Sequence, residues 1–133
     1  MLLTAGSVLR RMSVAVAFIL LSFSAQAAGS QPFETRAFQA AQTAGKPILV
    51  EVHADWCPTC RAQVPVLDKL SSEPEFANLA RFRVDFDTQK SVVKGFGARY
   101  QSTLVLFKGK TELARSVGET SEDKIRAMLN KAI

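Results

Sequence analysis

Cys57 and Cys60 are the only cysteines in this chain, and they stand where one hydrophobic period gives way to another. Before them, Ile48-Leu49-Val50-Glu51-Val52 is an apolar run of buried-strand length. After them, Arg61 to Leu70 carries its apolar residues at helical spacing. Two thiols spaced C-x-x-C at a strand-to-helix junction can close a small disulfide and open it again, so the pattern points to redox chemistry. The competing reading is a structural staple. Such bridges usually join distant segments, whereas Cys57–Cys60 would close a loop of four residues. So short a loop constrains the unfolded chain little.

With 133 residues the chain is long enough for one domain. Met1 to Ala27 reads as a secretory signal peptide. Arg10 and Arg11 form its positive end, Met12 to Phe23 its apolar stretch, and Ala25-Gln26-Ala27 a small-x-small cleavage site. The apolar stretch is shorter than a membrane span requires, although retention as an uncleaved anchor is the alternative. Residues 28–133 then form the mature domain. Removing Arg10 and Arg11 leaves 15 basic against 12 acidic residues, a net charge of +3. The remaining Lys and Arg are scattered, which describes a solvated surface far better than a nucleic-acid-binding patch, so no nucleic-acid partner is expected.

The pattern predicts an alternating order of elements. Gln31 to Thr43 has Phe33, Ala37, Phe38, Ala40 and Ala41 at helical spacing, closed by Gly45-Lys46-Pro47. Ile48 to Ala54 is a strand. Pro58 to about Ser71 is a helix with Val64, Leu67 and Leu70 inward, and Pro65 inside it is expected to kink it. Arg81 to Phe86 alternates, with Phe82, Val84 and Phe86 on one face and Arg83 and Asp85 on the other. Thr88 to Phe96 is a helix ended by Gly97. Thr103 to Phe107 and Glu112 to Val117 form a hairpin around Gly109-Lys110. Ser121 is a candidate N-cap for a last helix with Ile125, Met128, Leu129 and Ala132 inward. The order implies an α/β fold, a mixed sheet with helices on both faces.

Those elements and residues resemble the thioredoxin family over essentially the whole mature chain. Ile48 to Leu70 (ILVEVHADWCPTCRAQVPVLDKL) is similar to the family's strand, active site and second helix, with Glu51, Ala54, Trp56, Cys57, Cys60 and Pro65 at motif positions. Arg83 to Asp87 is similar to the next core strand, Phe96 to Phe107 to the third, and Gly118 to the glycine after the hairpin. The resemblance implies a thioredoxin-like fold. Little chain precedes the first helix, so a four-stranded sheet is expected, without the family's initial edge strand.

The resemblance also implies roles. Cys57 is the nucleophile, partly exposed at a helix N-terminus, and Cys60 is the more buried resolving thiol. Trp56, Pro58 and Thr59 shape the site, with plain core packing the alternative for Trp56. Glu51 is a carboxylate in an apolar strand, which must pair, neutralise or work. The family's acid at this place handles the buried cysteine's proton. Arg83 falls where the family often has a lysine beside that acid, and an arginine can only hold it ionised. Gln101-Ser102-Thr103 departs from the family, which carries a cis-proline facing the two sulfurs where this chain has Ser102. A non-proline cis bond costs about 3 kcal/mol, so this bond is expected trans, or cis under strain. His53, the single histidine, is expected to pack on its strand. Two cysteines and one histidine fall short of a closed tetrahedral zinc site. No metal or cofactor is expected.

The reading that follows is an exported, periplasmic thiol–disulfide oxidoreductase, monomeric, reducing protein disulfides with electrons from a membrane reductant carrier. The alternatives are a disulfide-donating oxidant, and a non-catalytic thioredoxin-like metal- or assembly-binding module that uses the altered Ser102 groove.

Overall fold

The computed structural model describes residues 29–133. The signal-peptide reading of Met1 to Ala27 lies outside the described residues. The strands are β1 (Gln31–Pro32), β2 (Pro47–His53), β3 (Ala80–Asp85), β4 (Thr103–Lys108) and β5 (Thr111–Val117). The helices are α1 (Thr35–Thr43), α2 (Pro58–Ser71), α3 (Lys90–Gly95) and α4 (Glu122–Leu129), with short 3-10 turns at Pro74–Phe76 and Asn130–Ala132.

One five-stranded sheet runs β1-β3-β2-β4-β5. β1, β3 and β2 are parallel, while β4 and β5 are antiparallel additions. The sheet therefore has one strand more than the four expected. The extra one is β1, only two residues long, pairing Gln31 with Phe82 and Pro32 with Arg83. Two residues show no alternation, and a proline is tolerated only where its missing N–H faces no ladder partner, as at an edge. The first helix accordingly starts at Thr35 and not Gln31, and Ala37 and Ala40 face solvent.

Alternation along β2 divides the core between two faces. Ile48, Val50 and Val52 join Phe82, Val84, Val105 and Phe107 beneath α1 and α3. There Phe33, Phe38, Phe82, Phe96 and Phe107 meet, mostly edge to face, with ring centroids 5.4–6.2 Å apart. Leu49, Leu104 and Leu106 lie on the opposite face with Leu67 and Leu70 of α2 and Ile125, Met128 and Leu129 of α4. Each fully buried side chain of this size contributes roughly 1.5–3 kcal/mol. Glu51 has the parity of Leu49, so it projects onto the α2 face.

Helix α2 continues through Pro65. Its inward stripe is Cys60, Gln63, Leu67, Leu70 and Ser71, and Val64 is only half-buried. Counting from Cys60, the 3.6-residue period selects Gln63 ahead of Val64, although hydrophobicity alone selects Val64. The β4–β5 turn needs Gly109. Its φ is +56°, and a Cβ there would stand 3.2 Å from the Gln42 carbonyl oxygen. Ser121 occupies the N-cap position of α4, but its side chain makes no capping bond. Instead Glu119 Oε1 accepts the Thr120 and Ser121 N–H groups at 3.1 and 2.9 Å.

Candidate active site

β2 ends at His53, and a short turn carries the chain to Cys57, whose N–H donates to Ala54 O at 3.1 Å. Cys57 is the N-cap of α2, with extended backbone (φ −80°, ψ 114°). Its sulfur takes the place of a serine or aspartate oxygen and accepts the Cys60 N–H at 3.2 Å. Pro58 follows in the first helical turn, where a missing N–H leaves nothing unsatisfied. The positive end of the helix thus falls on one sulfur. Both thiols are free in this structure.

The resemblance implied a partly exposed Cys57. Here Cys57 is 2% exposed and Cys60 1%, packed with Ala54 and Phe86. Their electrostatic settings nevertheless diverge. Burial pushes the Cys57 thiol up, but hydrogen bonds from the Cys60 side chain and N–H, the Ser102 hydroxyl and the Thr59 N–H outweigh it. The Cys57 thiol therefore lies below its ordinary value. Burial also pushes Cys60 up, and the Cys57 sulfur adds to that, with only partial relief from the Ala54 and Ser102 backbone N–H groups. Of the two, the first sulfur gives up its proton more readily and the second holds it more tightly.

The peptide bond before Ser102 is trans, and Ser102 has φ +55°. A proline ring, fixed near −65°, cannot take that conformation, and for a serine it costs on the order of 1–3 kcal/mol. Neighbours hold it there. The Ser102 carbonyl accepts the Gly118 N–H at 2.9 Å and Gln63 Nε2 at 3.2 Å. The Ser102 hydroxyl donates to Gln101 O at 2.7 Å, and the Thr103 hydroxyl to Tyr100 O at 2.6 Å. Thr103 is buried and Gln101 half-buried. Gln63 reaches onward to Glu119 O at 2.9 Å, tying α2 to the loops on either side of the hairpin. Sequence reading missed Gln63; the signal was its place three residues after Cys60.

Glu51 is 4% exposed, and its partner differs from the one expected. Arg81 Nε donates to Glu51 Oε1 at 2.6 Å, while Arg83 Nη2 stands 3.5 Å from Oε2. Arg81, its side chain 1% exposed, also reaches Asp68 Oδ1 and Ser71 Oγ, each at 2.8 Å from Nη1. Burial opposes the Arg81 charge, and Glu51 and Asp68 outweigh it. Parity places Arg81 and Arg83 alike on the α2 face, and the register sets Arg83 directly opposite Glu51 and Arg81 opposite Leu49; the diagonal reach of Arg81 to Glu51 was not legible. His53 pairs with Asp55 at 3.1 Å. Trp56 is 56% exposed, with Nε1 donating to Asp87 Oδ2 at 2.7 Å, so it is a surface plate and not core.

The family model described as Thioredoxin matches residues 30–131. Thioredoxin of Chlamydia muridarum is 32% identical over 84 residues, covering 63% of this chain and 80% of its own. Protein disulfide-isomerase erp38 of Neurospora crassa is 39% identical over 70 residues, 51% of this chain and 19% of that longer protein. The crystal structure of Trxlp from Edwardsiella tarda EIB202 superposes with a TM-score of 0.72 at 43% identity, over 74% of this chain and 95% of that one. With the dithiol capping α2 beneath the end of β2, these likenesses place the chain in the thioredoxin family, as a thiol–disulfide oxidoreductase.

Proposed function

We propose that the chain is an exported, monomeric reductant of protein disulfides in the periplasm. Export rests on the n-region, apolar stretch and small-x-small site of Met1 to Ala27. The observation that carries the chemistry is the split between the two thiols, with Cys57 favouring thiolate and Cys60 retaining its proton. The Cys57 thiolate attacks one sulfur of a substrate disulfide, forms a mixed disulfide and releases the other sulfur as a thiolate. Cys60 loses its proton and attacks Cys57. The pair closes, the second substrate thiol leaves, and two electrons have passed to the substrate. An oxidising compartment does not restore the dithiol, so a membrane reductant carrier supplies the next two electrons.

Glu51 serves here as the proton acceptor for Cys60, held in place by the 2.6 Å bond from Arg81 Nε. Glu51→Gln then slows release of the mixed disulfide on the order of a hundredfold and leaves its formation nearly unchanged. Rapid-quench kinetics with a labelled substrate reads both steps, and equal slowing of the two removes the role.

The oxidant reading has one observation in its favour. Donors that favour the Cys57 thiolate also favour the reduced pair and raise its potential. Equilibration of the purified protein with glutathione separates the directions, with metal content measured on the same sample. A potential near that of thioredoxin, about −270 mV, is expected, and one nearer about −120 mV makes the protein an oxidant. A pair that fails to exchange while metal co-purifies sinks both and leaves a binding module.

A further inference from the structure

Phe86 joins the dithiol to a second feature of the surface. Its ring packs against Ala54, Cys57 and Cys60. The same ring carries Lys90 Nζ 4.5 Å from its centroid. Phe86 and Lys90 line a groove of about 400 Å³ with Val93, Lys94 and Arg99. The three cations are exposed, and Phe86 and Val93 supply an apolar floor. Charges scattered in the sequence are thus gathered by α3 and the turn after it. Lys90 has one acid within reach, Asp87 Oδ1 at 3.9 Å, and the other oxygen of that carboxylate accepts Trp56 Nε1. Among the described residues, neither Lys94 nor Arg99 has a carboxylate in ion-pair range. Lys90 and Lys94 stand four apart on α3, where like charges repel. Lys90 also puts a positive charge at the positive end of that helix, whose first turn holds no acid. Local rules broken in this way are expected at functional sites.

We infer that this groove receives an acidic segment of the protein whose disulfide is being reduced. Carboxylates of that segment pair with Lys94 and Arg99, and a neighbouring apolar side chain lies on Phe86 and Val93. Because Phe86 also packs on the sulfurs, the segment seated here is the one that flanks the disulfide under attack. Three cations beside an apolar floor suit a short acidic and apolar stretch, whereas a nucleic acid gains from a long track of cations along its phosphates. Attraction between the opposite charges also raises the encounter rate before any contact forms. Arg115 Nη1 would stand 4.0 Å from a Cβ at Gly97, but that arginine is already held by Glu112 at 2.9 Å and adds no free charge. The inference rests on the chain reducing protein disulfides, and it adds which disulfides are preferred.

The test uses two peptides, each with one internal disulfide. Aspartate and glutamate flank it in one, asparagine and glutamine in the other. Their reduction by the dithiol protein is timed at neutral pH and varied salt. The acidic peptide reacts about tenfold faster at low salt, the lower end for electrostatic steering. The advantage disappears at about 1 M salt, where charges are screened beyond about 3 Å. Lys94→Gln with Arg99→Gln abolishes the preference and leaves the rate of the neutral peptide unchanged. Lys110→Gln with Lys131→Gln alters two exposed lysines that do not line the groove, makes the same change in net charge and keeps the preference. Equal rates for the two peptides at low salt overturn the inference. So does a preference lost equally in both double variants, which reports net charge alone. Binding is read separately, by titrating the acidic peptide with serines in place of its cysteines into isotopically labelled protein. Amide signals of residues 90–99 shift in the unaltered protein and stay in place in Lys94→Gln with Arg99→Gln. If neither peptide is reduced, the reductant reading fails, and the titration still decides the groove. Shifts at residues 90–99 then keep it as a surface for acidic segments, and their absence overturns it.

Discussion

Cys57→Ser abolishes reduction of insulin disulfides, whereas Cys60→Ser stops after one step and retains its substrate covalently. The first variant has no thiolate at the α2 N-terminus. Its remaining thiol, Cys60, lies 1% exposed and is pushed up by burial, so few molecules present a nucleophile at neutral pH. In the second variant Cys57 keeps the Ser102 hydroxyl and the Thr59 and Cys60 N–H groups, since a backbone donor survives the substitution. Attack therefore proceeds. Resolution now waits for an external thiol. Groups held in reacting geometry have effective molarities that reach about 10⁵ M, and turnover falls by on the order of 10³-fold or more. Non-reducing gels of the Cys60→Ser protein exposed to oxidised substrates read the outcome as adducts that dithiothreitol dissolves. Adducts through Cys57→Ser in place of Cys60→Ser would reverse the two roles.

The C-x-x-C pair and its place at the head of α2 were legible because three independent signals met there: the cysteine spacing, an apolar strand before it and a helical period after it. The sheet core was legible for the same reason, as Ile48 to Val52 and Phe82 to Val84 announce their faces by parity. What failed was whatever depends on partners distant in sequence. Strand β1 escaped because two residues hold no period and their partners are fifty residues away. Gln63 escaped because its two acceptors, Ser102 O and Glu119 O, come from loops either side of the hairpin. Ser102 stood out as a departure, but its φ of +55° is decided by carbonyl contacts to α2 and Gly118 that no local pattern encodes. Cys57 was expected to be partly exposed because a helix N-terminus usually is. The Ser102 side chain and Phe86 instead pack beside it.

Arg81 shows most plainly what side-chain reach across the sheet adds, and its removal has the largest expected effect on stability. Arg81→Met keeps an apolar stem of similar reach to the arginine's three methylenes but leaves the Glu51 carboxylate, 4% exposed, with only Arg83 at 3.5 Å. Removing one partner from a buried pair costs about 3–5 kcal/mol. The residual Arg83 contact favours the lower end, and at that end the melting temperature falls by about 15 °C for a domain of this size. Asp68 and Ser71 lose a donor too, but Asp68 is half in solvent and recovers water bonds. Arg81→Lys recovers little, because one ammonium cannot reproduce the fork that reaches Glu51 from Nε and Asp68 from Nη1 together. The double variant Arg81→Met with Glu51→Leu removes both charges, and replacing a buried ion pair by apolar groups of similar volume is often neutral or stabilising. It should therefore regain most of the stability lost in Arg81→Met. Denaturant unfolding of the single and double variants measures the difference. If Arg81→Met alone unfolds like the unaltered protein, the pair contributes nothing, and the case for Arg81 as the buried partner of Glu51 falls with it.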